Sequence, residues 1–157
     1  MADYDRVLKE LEKAIRDSIK SETLLKIAKD LPERIKVRTR LGYGVDETGG
    51  PRQKLKDTKA STKRRKEYKK RAGDLSDQTT PKRSNLTDTG ELLDSLVAES
   101  PKDGELTIKS KGARNEKVAR YVTEGGRPFL NLSKPELRAF LDAFGKELIA
   151  RIEKALK

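Results

Sequence analysis

Apolar side chains recur at helical spacing at both ends of the chain. Near the start, four of them fall on one helix face with charged residues around the rest: Leu8, Leu11, Ile15 and Ile19. Ser21 is the predicted N-cap of a second helix. Pro32 either ends that helix or lies in the first turn of a new one. Residues 35–41 alternate apolar and charged positions, so helix and strand both stay open there.

The most regular pattern predicts a long amphipathic helix at the other end. Ser133 and Glu136 form a capping box around Pro135, whose missing N–H is harmless in a first turn. The apolar stripe that follows comprises Leu137, Phe140, Leu141, Phe144, Leu148, Ile152 and Leu156. Burial of each side chain would contribute roughly 1.5–3 kcal/mol. We therefore expect the stripe to pack on the N-terminal helices, on a hairpin or on a neighbouring subunit.

Shorter elements are predicted between these helices. Asp88 can cap a short helix, with Glu91 in the reciprocal position. Leu106 and Ile108 alternate with polar residues after an Asp-Gly turn, which indicates a β-hairpin. Another short helix is predicted over residues 116–121, ended by a pair of glycines.

These elements predict an α+β fold. In it, N-terminal and C-terminal amphipathic helices pack on a small antiparallel sheet or hairpin, and a long extended basic arm leaves the fold. We expect a single domain over residues 1–157. Its parts are an N-terminal helical region (1–41), the basic arm (42–85), and the hairpin plus the C-terminal helix (86–157).

The middle of the chain carries most of the positive charge. Residues 51–85 hold thirteen Lys or Arg against four acids, a net charge of +9 out of +11 for the whole chain. The large apolar side chains there are Leu55, Tyr68 and Leu75, too few to offset the entropy of ordering. We therefore expect an arm that is mobile or that becomes ordered against something else. Its expected contact residues are Arg52, Lys54, Lys56, Lys63, Arg64, Arg65, Lys66, Lys69, Lys70 and Arg71.

Two interpretations of the basic arm stay open. Clusters of Lys and Arg would neutralise phosphates and give salt-dependent affinity for nucleic acid. Tyr68 is the arm's one aromatic residue after Pro51, so stacking on exposed bases is not favoured. The alternative is a solvated tether, or a segment that pairs with acidic surfaces of neighbouring subunits.

Composition excludes several kinds of chemistry. The chain has no cysteine and no histidine, which excludes disulfides, thiolate and histidine catalysis, and the usual zinc sites. The triplet Asp88-Thr89-Gly90 matches the one that holds the catalytic aspartate of aspartic proteases, but its flanks lack the apolar strands of such a site. A helix cap explains the same residues. We expect no catalytic, cofactor-binding or metal-binding residue and no enzymatic activity.

Targeting and membrane signals are also missing from the pattern. The acidic start lacks the apolar segment of a secretory signal. No apolar run approaches the roughly 20 residues that span a bilayer. The sequence therefore predicts a soluble protein that is made inside the cell and has no membrane partner.

The segment before the last helix is also unusual. Two glycines, Gly125 and Gly126, precede Arg127-Pro128-Phe129-Leu130. From the residues alone, this segment is a hydrophobic staple in which an apolar residue before the cap packs on the first helical turn. We expect Phe129 to fix the last helix against the hairpin.

The order of the motifs resembles a known family. Residues 86–96 match the pattern L-x-x-TG-x-L-x-x-S-I/L, and a hairpin follows. Next come Val-Ala-Arg-Tyr-Val at 118–122 and Arg-Pro-Phe-Leu-Asn-Leu-Ser at 127–133, before the final helix. This series is similar to the tail-completion and virion-morphogenesis proteins of tailed bacteriophages, which sit in the neck between head and tail. It covers most of residues 35–157.

The resemblance implies a structural virion protein located in the neck or tail and made in the host cytoplasm. Such a subunit joins copies of itself into a ring, expected to be a hexamer, around the channel through which DNA passes. Its other partners would be neighbouring neck proteins, tail-terminator or tail-tube proteins, and the DNA itself. The residues expected to carry structure and assembly are Thr89, Gly90, Gly125, Gly126, Arg127, Pro128, Phe129 and Leu130.

Overall fold

The computed structural model describes residues 2–45, 50–55, 60–73 and 90–156, and its fold is of the predicted α+β class. Its helices are α1 (Ala2–Ser18), α2 (Ser21–Ala28), α3 (Leu31–Arg40), α4 (Ala60–Arg71), α5 (Glu91–Asp94), α6 (Ala113–Glu124) and α7 (Lys134–Ala155). Its strands are β1 (Tyr43–Gly44), β2 (Gln53–Lys54), β3 (Leu96–Glu99) and β4 (Thr107–Ser110). β1 pairs with β2, and β3 pairs with β4 in the predicted hairpin.

The chain divides into two compact units that interleave along the sequence. Unit 1 comprises Met1–Leu31, Ala98–Thr107 and Pro135–Lys157. Unit 2 comprises Pro32–Val97 and Ile108–Lys134.

In unit 1, the turn of the β3–β4 hairpin caps α2. The backbone N–H of Ser21 donates to Oδ1 of Asp103 over 2.8 Å, and the Ser21 hydroxyl donates to the same oxygen over 3.1 Å. The N–H of Gly104 donates to the carbonyl of Ile19 over 2.8 Å. The prediction that Ser21 is the N-cap was therefore wrong: Ser21 is the first helical residue, and a carboxylate 82 positions away satisfies its N–H.

The apolar stripe of α7 is less buried than its pattern predicts. Leu137, Leu141 and Leu156 are exposed, and the other members of the stripe are half-buried. The one fully buried residue of α7 is Glu136. The start of the helix agrees with the sequence, since α7 begins directly after Ser133 with Pro135 in its first turn.

Unit 2 has the better-formed core. The buried members of its apolar cluster are Ile35, Leu92, Leu93, Leu96, Ala119 and Phe129. These side chains come from α3, α5, β3, α6 and the loop before α7, so the cluster joins elements that are distant in sequence. Residues 35–40, left open between helix and strand, are helical, and Pro32 lies in the first turn of that helix.

The beginning of the predicted basic arm belongs to this unit. The ribbon pairs Tyr43 with Lys54 and Gly44 with Gln53. Leu55 is buried beside it, and its N–H donates to the carbonyl of Gly42 over 2.8 Å. At residues 42–45 and 50–55, the predicted arm is therefore part of unit 2 and does not extend away from it.

Further differences concern α4, α5 and α6. Residues 60–71 are helical where an extended arm was expected; Lys, Arg and Glu are good helix formers even without an apolar face. α5 begins at Glu91 after Gly90, so Glu91 is not in the third helical position that a cap at Asp88 requires. Asp88 itself lies outside the described residues. The helix predicted over 116–121 is confirmed and is longer, with Gly125 at its C-terminal cap.

Candidate interaction surfaces

Unit 1 exposes more large apolar side chains than it buries. Within the described residues, its buried apolar residues are Ala14, Leu24, Ala28 and Leu31. The large apolar side chains that it exposes within the described residues are Tyr4, Val7, Leu8, Ile15, Ile19, Leu25, Leu137, Leu141, Ile149 and Leu156. Where exposed apolar side chains form a contiguous patch, they are typical of a surface that another molecule covers.

The exposed residues of α1 follow a helical line. Tyr4, Leu8 and Ile15 are separated by four and seven positions, so they share one face of the helix. Ala14 and Ser18, which are buried, lie on the neighbouring side. Of the predicted N-terminal stripe, Leu8, Ile15 and Ile19 are thus exposed and Leu11 is half-buried.

Unit 1 also has a groove between α1 and α7. It measures about 530 Å³, and alanines form part of its wall. Acids and bases balance one another around it: Glu10, Asp17 and Glu147 against Lys13, Arg151 and Lys154. Arg151 donates to Glu147 over 2.9 Å and to the Thr23 hydroxyl over 3.1 Å, which fixes the charge pattern of one wall.

One ion pair in unit 1 shifts the ionisation of both partners. The ammonium of Lys20 lies 2.5 Å from a carboxylate oxygen of Asp17. This hydrogen bond holds the pKa of Asp17 below its ordinary value and the pKa of Lys20 above its own. Both side chains are accessible to solvent, so the pair contributes little to stability.

Charge is divided unevenly between the units. By sequence, unit 1 holds thirteen Lys or Arg and fourteen acids, a net charge of −1. Unit 2 holds twenty-four Lys or Arg and twelve acids, a net charge of +12. The unit with the exposed apolar face is thus nearly neutral, while the other carries the whole positive excess.

The structure places the predicted arm residues unevenly. Those that are exposed are Arg52, Lys54, Arg64, Arg65, Lys70 and Arg71. Lys63 and Lys69 are half-buried, Lys66 is buried, and Lys56 lies outside the described residues. The less exposed side of α4 therefore consists of charged residues. The aromatic ring of Tyr68 on the same helix is 74% exposed.

The residues of the predicted assembly motif belong to unit 2, and part of the motif is buried there. Phe129 is fully buried in the apolar cluster, Leu130 packs against that cluster, and the guanidinium of Arg38 donates to the Phe129 carbonyl. Phe129 was expected to fix the last helix against the hairpin. Its cluster includes the hairpin through Leu96 of β3 but no residue of α7, and its other buried members come from α3, α5 and α6.

The glycines of the motif have local roles. Gly90 is buried with φ +83°, and Gly126 has φ +77°, a region that side-chain-bearing residues avoid. The N–H of Arg127 donates a hydrogen bond to the carbonyl of Val122 over 3.1 Å, which satisfies a carbonyl at the C-terminal end of α6. Thr89 lies outside the described residues.

Sequence reasoning missed a basic surface on α6. Arg114, Lys117, Arg120 and Tyr121 lie outside the inner side of the helix that Ala119 and Val122 form, and all four are exposed. The Lys117 ammonium and the Arg120 guanidinium carbon each lie 5.9 Å from the centroid of the Tyr121 ring. The signal was available in the spacing of cations every third residue.

Two other kinds of site are absent from the part of the chain that the structure describes. It contains no cluster of acids that could hold a metal ion. It also contains no helix that is long and apolar enough to cross a bilayer. No family model, curated protein or solved structure matches this chain.

Proposed function

We propose that this chain is a structural subunit of a tailed-bacteriophage neck: a tail-completion protein that assembles into a ring around the DNA channel and performs no reaction. The observation that carries the proposal is the surface of unit 1, where, among the described residues, ten large apolar side chains are exposed and four apolar residues are buried. Copies of the chain packed side by side would cover such a surface. The groove between α1 and α7 also suits a protein partner because its acids and bases are balanced.

The packing of unit 2 supports the same proposal. Three segments that carry the family resemblance, 86–96, 118–122 and 127–133, contribute to one apolar cluster through Leu92, Leu93, Ala119 and Phe129. Motifs that are far apart in sequence thus form a common core. This arrangement is expected if they belong to one structural signature and are not independent short matches.

Deleting the protein from the virus that encodes it tests the function directly. We expect full heads and separate tails in electron micrographs, with joining restored when the purified protein is added. A Leu141→Glu variant should fail to restore joining, because it places a charge in the apolar face. The matched variant Ala143→Glu, on the same helix but outside the stripe, should restore it. Infectious, joined particles in the absence of the protein would refute the proposal.

A second function is favoured by α4. Seven of its twelve residues are Lys or Arg and one is an acid. This composition suits a nucleic-acid-binding module that acts through residues 52–83. Such a module would bind DNA or RNA as a purified monomer with a steep salt dependence. If all nucleic-acid affinity required assembled rings, the free module would be excluded.

A further inference from the structure

We propose that the outer face of α6 is a second nucleic-acid-binding surface, separate from the basic arm, which contacts the phosphate backbone through Arg114, Lys117 and Arg120. The proposal does not depend on the ring, because it concerns one helix within unit 2. It assigns a ligand to cations that lie far from residues 52–83 in the sequence.

The first argument is the local charge. Residues 108–134 hold seven Lys or Arg and two acids, a net charge of +5 that does not include the arm. Within the described ranges, the side chains of Lys111 and Arg114 have no acidic partner. Arg120 is 4.0 Å from Glu124, and this pair is exposed and therefore weak. These cations are available to an external anion.

The second argument is rigidity. On its inner side, α6 is fixed to the core of unit 2 by the buried Ala119 and the partly buried Val122. A helix rises 1.5 Å per residue, so cations at every third position are displaced by about 4.5 Å along the axis. A row of cations on an anchored helix loses less conformational entropy on binding than the same cations on a loose tether.

The third argument concerns Tyr121. Its ring is 57% exposed and lies between Lys117 and Arg120. Contact with the ring restricts both long side chains, which directs their charges outward from the helix. A repeating polyanion matches a row of outward cations better than an isolated acidic side chain would.

Salt dependence of DNA binding by the full-length protein tests the proposal. The probe is a short duplex of mixed sequence, and the variant is Arg114→Ala/Lys117→Ala/Arg120→Ala, in which alanine preserves the helix. We expect the slope of log K against log[salt] to decrease by about 0.9 for each phosphate that the variant no longer neutralises, or about 2.7 in all. The variant retains the whole arm, so the decrease belongs to α6.

The matched control removes the same charge from unit 1 by Lys26→Ala/Lys29→Ala/Arg138→Ala, at three exposed positions. We expect its slope to equal that of the native protein, and circular dichroism and mass to be unchanged in both variants. An unchanged slope in the α6 variant would overturn the proposal. An equal decrease in the control would also overturn it, since net charge alone would then explain binding.

Discussion

Gly44 lies so close to Pro128 that a Cβ on this glycine would be 2.0 Å from the Pro128 carbonyl oxygen. The same carbonyl accepts a hydrogen bond from the N–H of Val45 over 3.2 Å. This approach joins the β1–β2 ribbon to the Arg-Pro-Phe-Leu segment. It explains why the residues after Gly42 belong to unit 2 instead of starting an extended arm.

We therefore expect Gly44→Ala to destabilise the protein. The new methyl group would also meet a side-chain carbon of Leu55 at 2.6 Å, so the ribbon would have to move. Overpacking of this kind costs about 1–3 kcal/mol. Urea denaturation measures the loss in the free energy of unfolding.

Gly145→Ala is the matched control. No atom lies within 4 Å of a Cβ at this position in α7, and alanine is favoured over glycine in a helix by about 0.5–1 kcal/mol. A gain in stability for Gly145→Ala beside a loss for Gly44→Ala is expected. Equal effects at the two sites would contradict the role of the Pro128 contact.

Phe129→Ala should cost roughly 3–5 kcal/mol, because it leaves a cavity in the cluster of unit 2. Phe129→Leu should cost less, since most of the apolar volume is kept. Thermal unfolding of both variants gives the comparison. A loss below about 1 kcal/mol for Phe129→Ala would show that the side chain is not buried as described.

Asp103→Ala removes the carboxylate that caps α2. Loss of a capping side chain costs about 0.5–2 kcal/mol, and two hydrogen bonds from Ser21 depend on this one. Asp30→Ala, at an exposed acid in the turn before α3, is the control and should be nearly neutral. If the two variants had the same free energy of unfolding, the cap would have no energetic role.

The ion pair of Asp17 and Lys20 should make the stability of the protein depend on pH. Because the folded-state pKa of Asp17 is lowered, its contribution to stability is present above the unfolded pKa of about 3.9 and is lost as the pH falls through the folded pKa. In Lys20→Met, the pKa of Asp17 should rise toward its ordinary value, as followed by NMR titration. An unchanged titration curve would show that Lys20 does not cause the shift.

The sequence predicted the elements whose signals are local. α1 and α7 follow from apolar spacing, α6 was predicted as a short helix ended by a pair of glycines, and the β3–β4 hairpin follows from the Asp-Gly turn at Asp103. The cap on Ser21 could not be predicted this way, because its acceptor is 82 residues away. α4 was missed because a helix without an apolar face has no periodic signal.

Burial was harder to predict than secondary structure. The stripe of α7 predicted a buried face, yet Leu141 is 54% exposed. Periodicity shows that a helix has an apolar side but not which molecule covers it. The Arg-Pro-Phe-Leu segment was identified as structural, but its buried neighbours depend on tertiary packing, which the order of motifs does not specify.

The central claim is that copies of the chain cover the apolar face of unit 1, and sedimentation equilibrium of the purified full-length protein tests it most directly. The native protein and Ala143→Glu should give a mass several times that of one chain, and Leu141→Glu should shift the population toward single chains. A native protein that remained at the mass of one chain at every concentration, with or without DNA, would contradict the account.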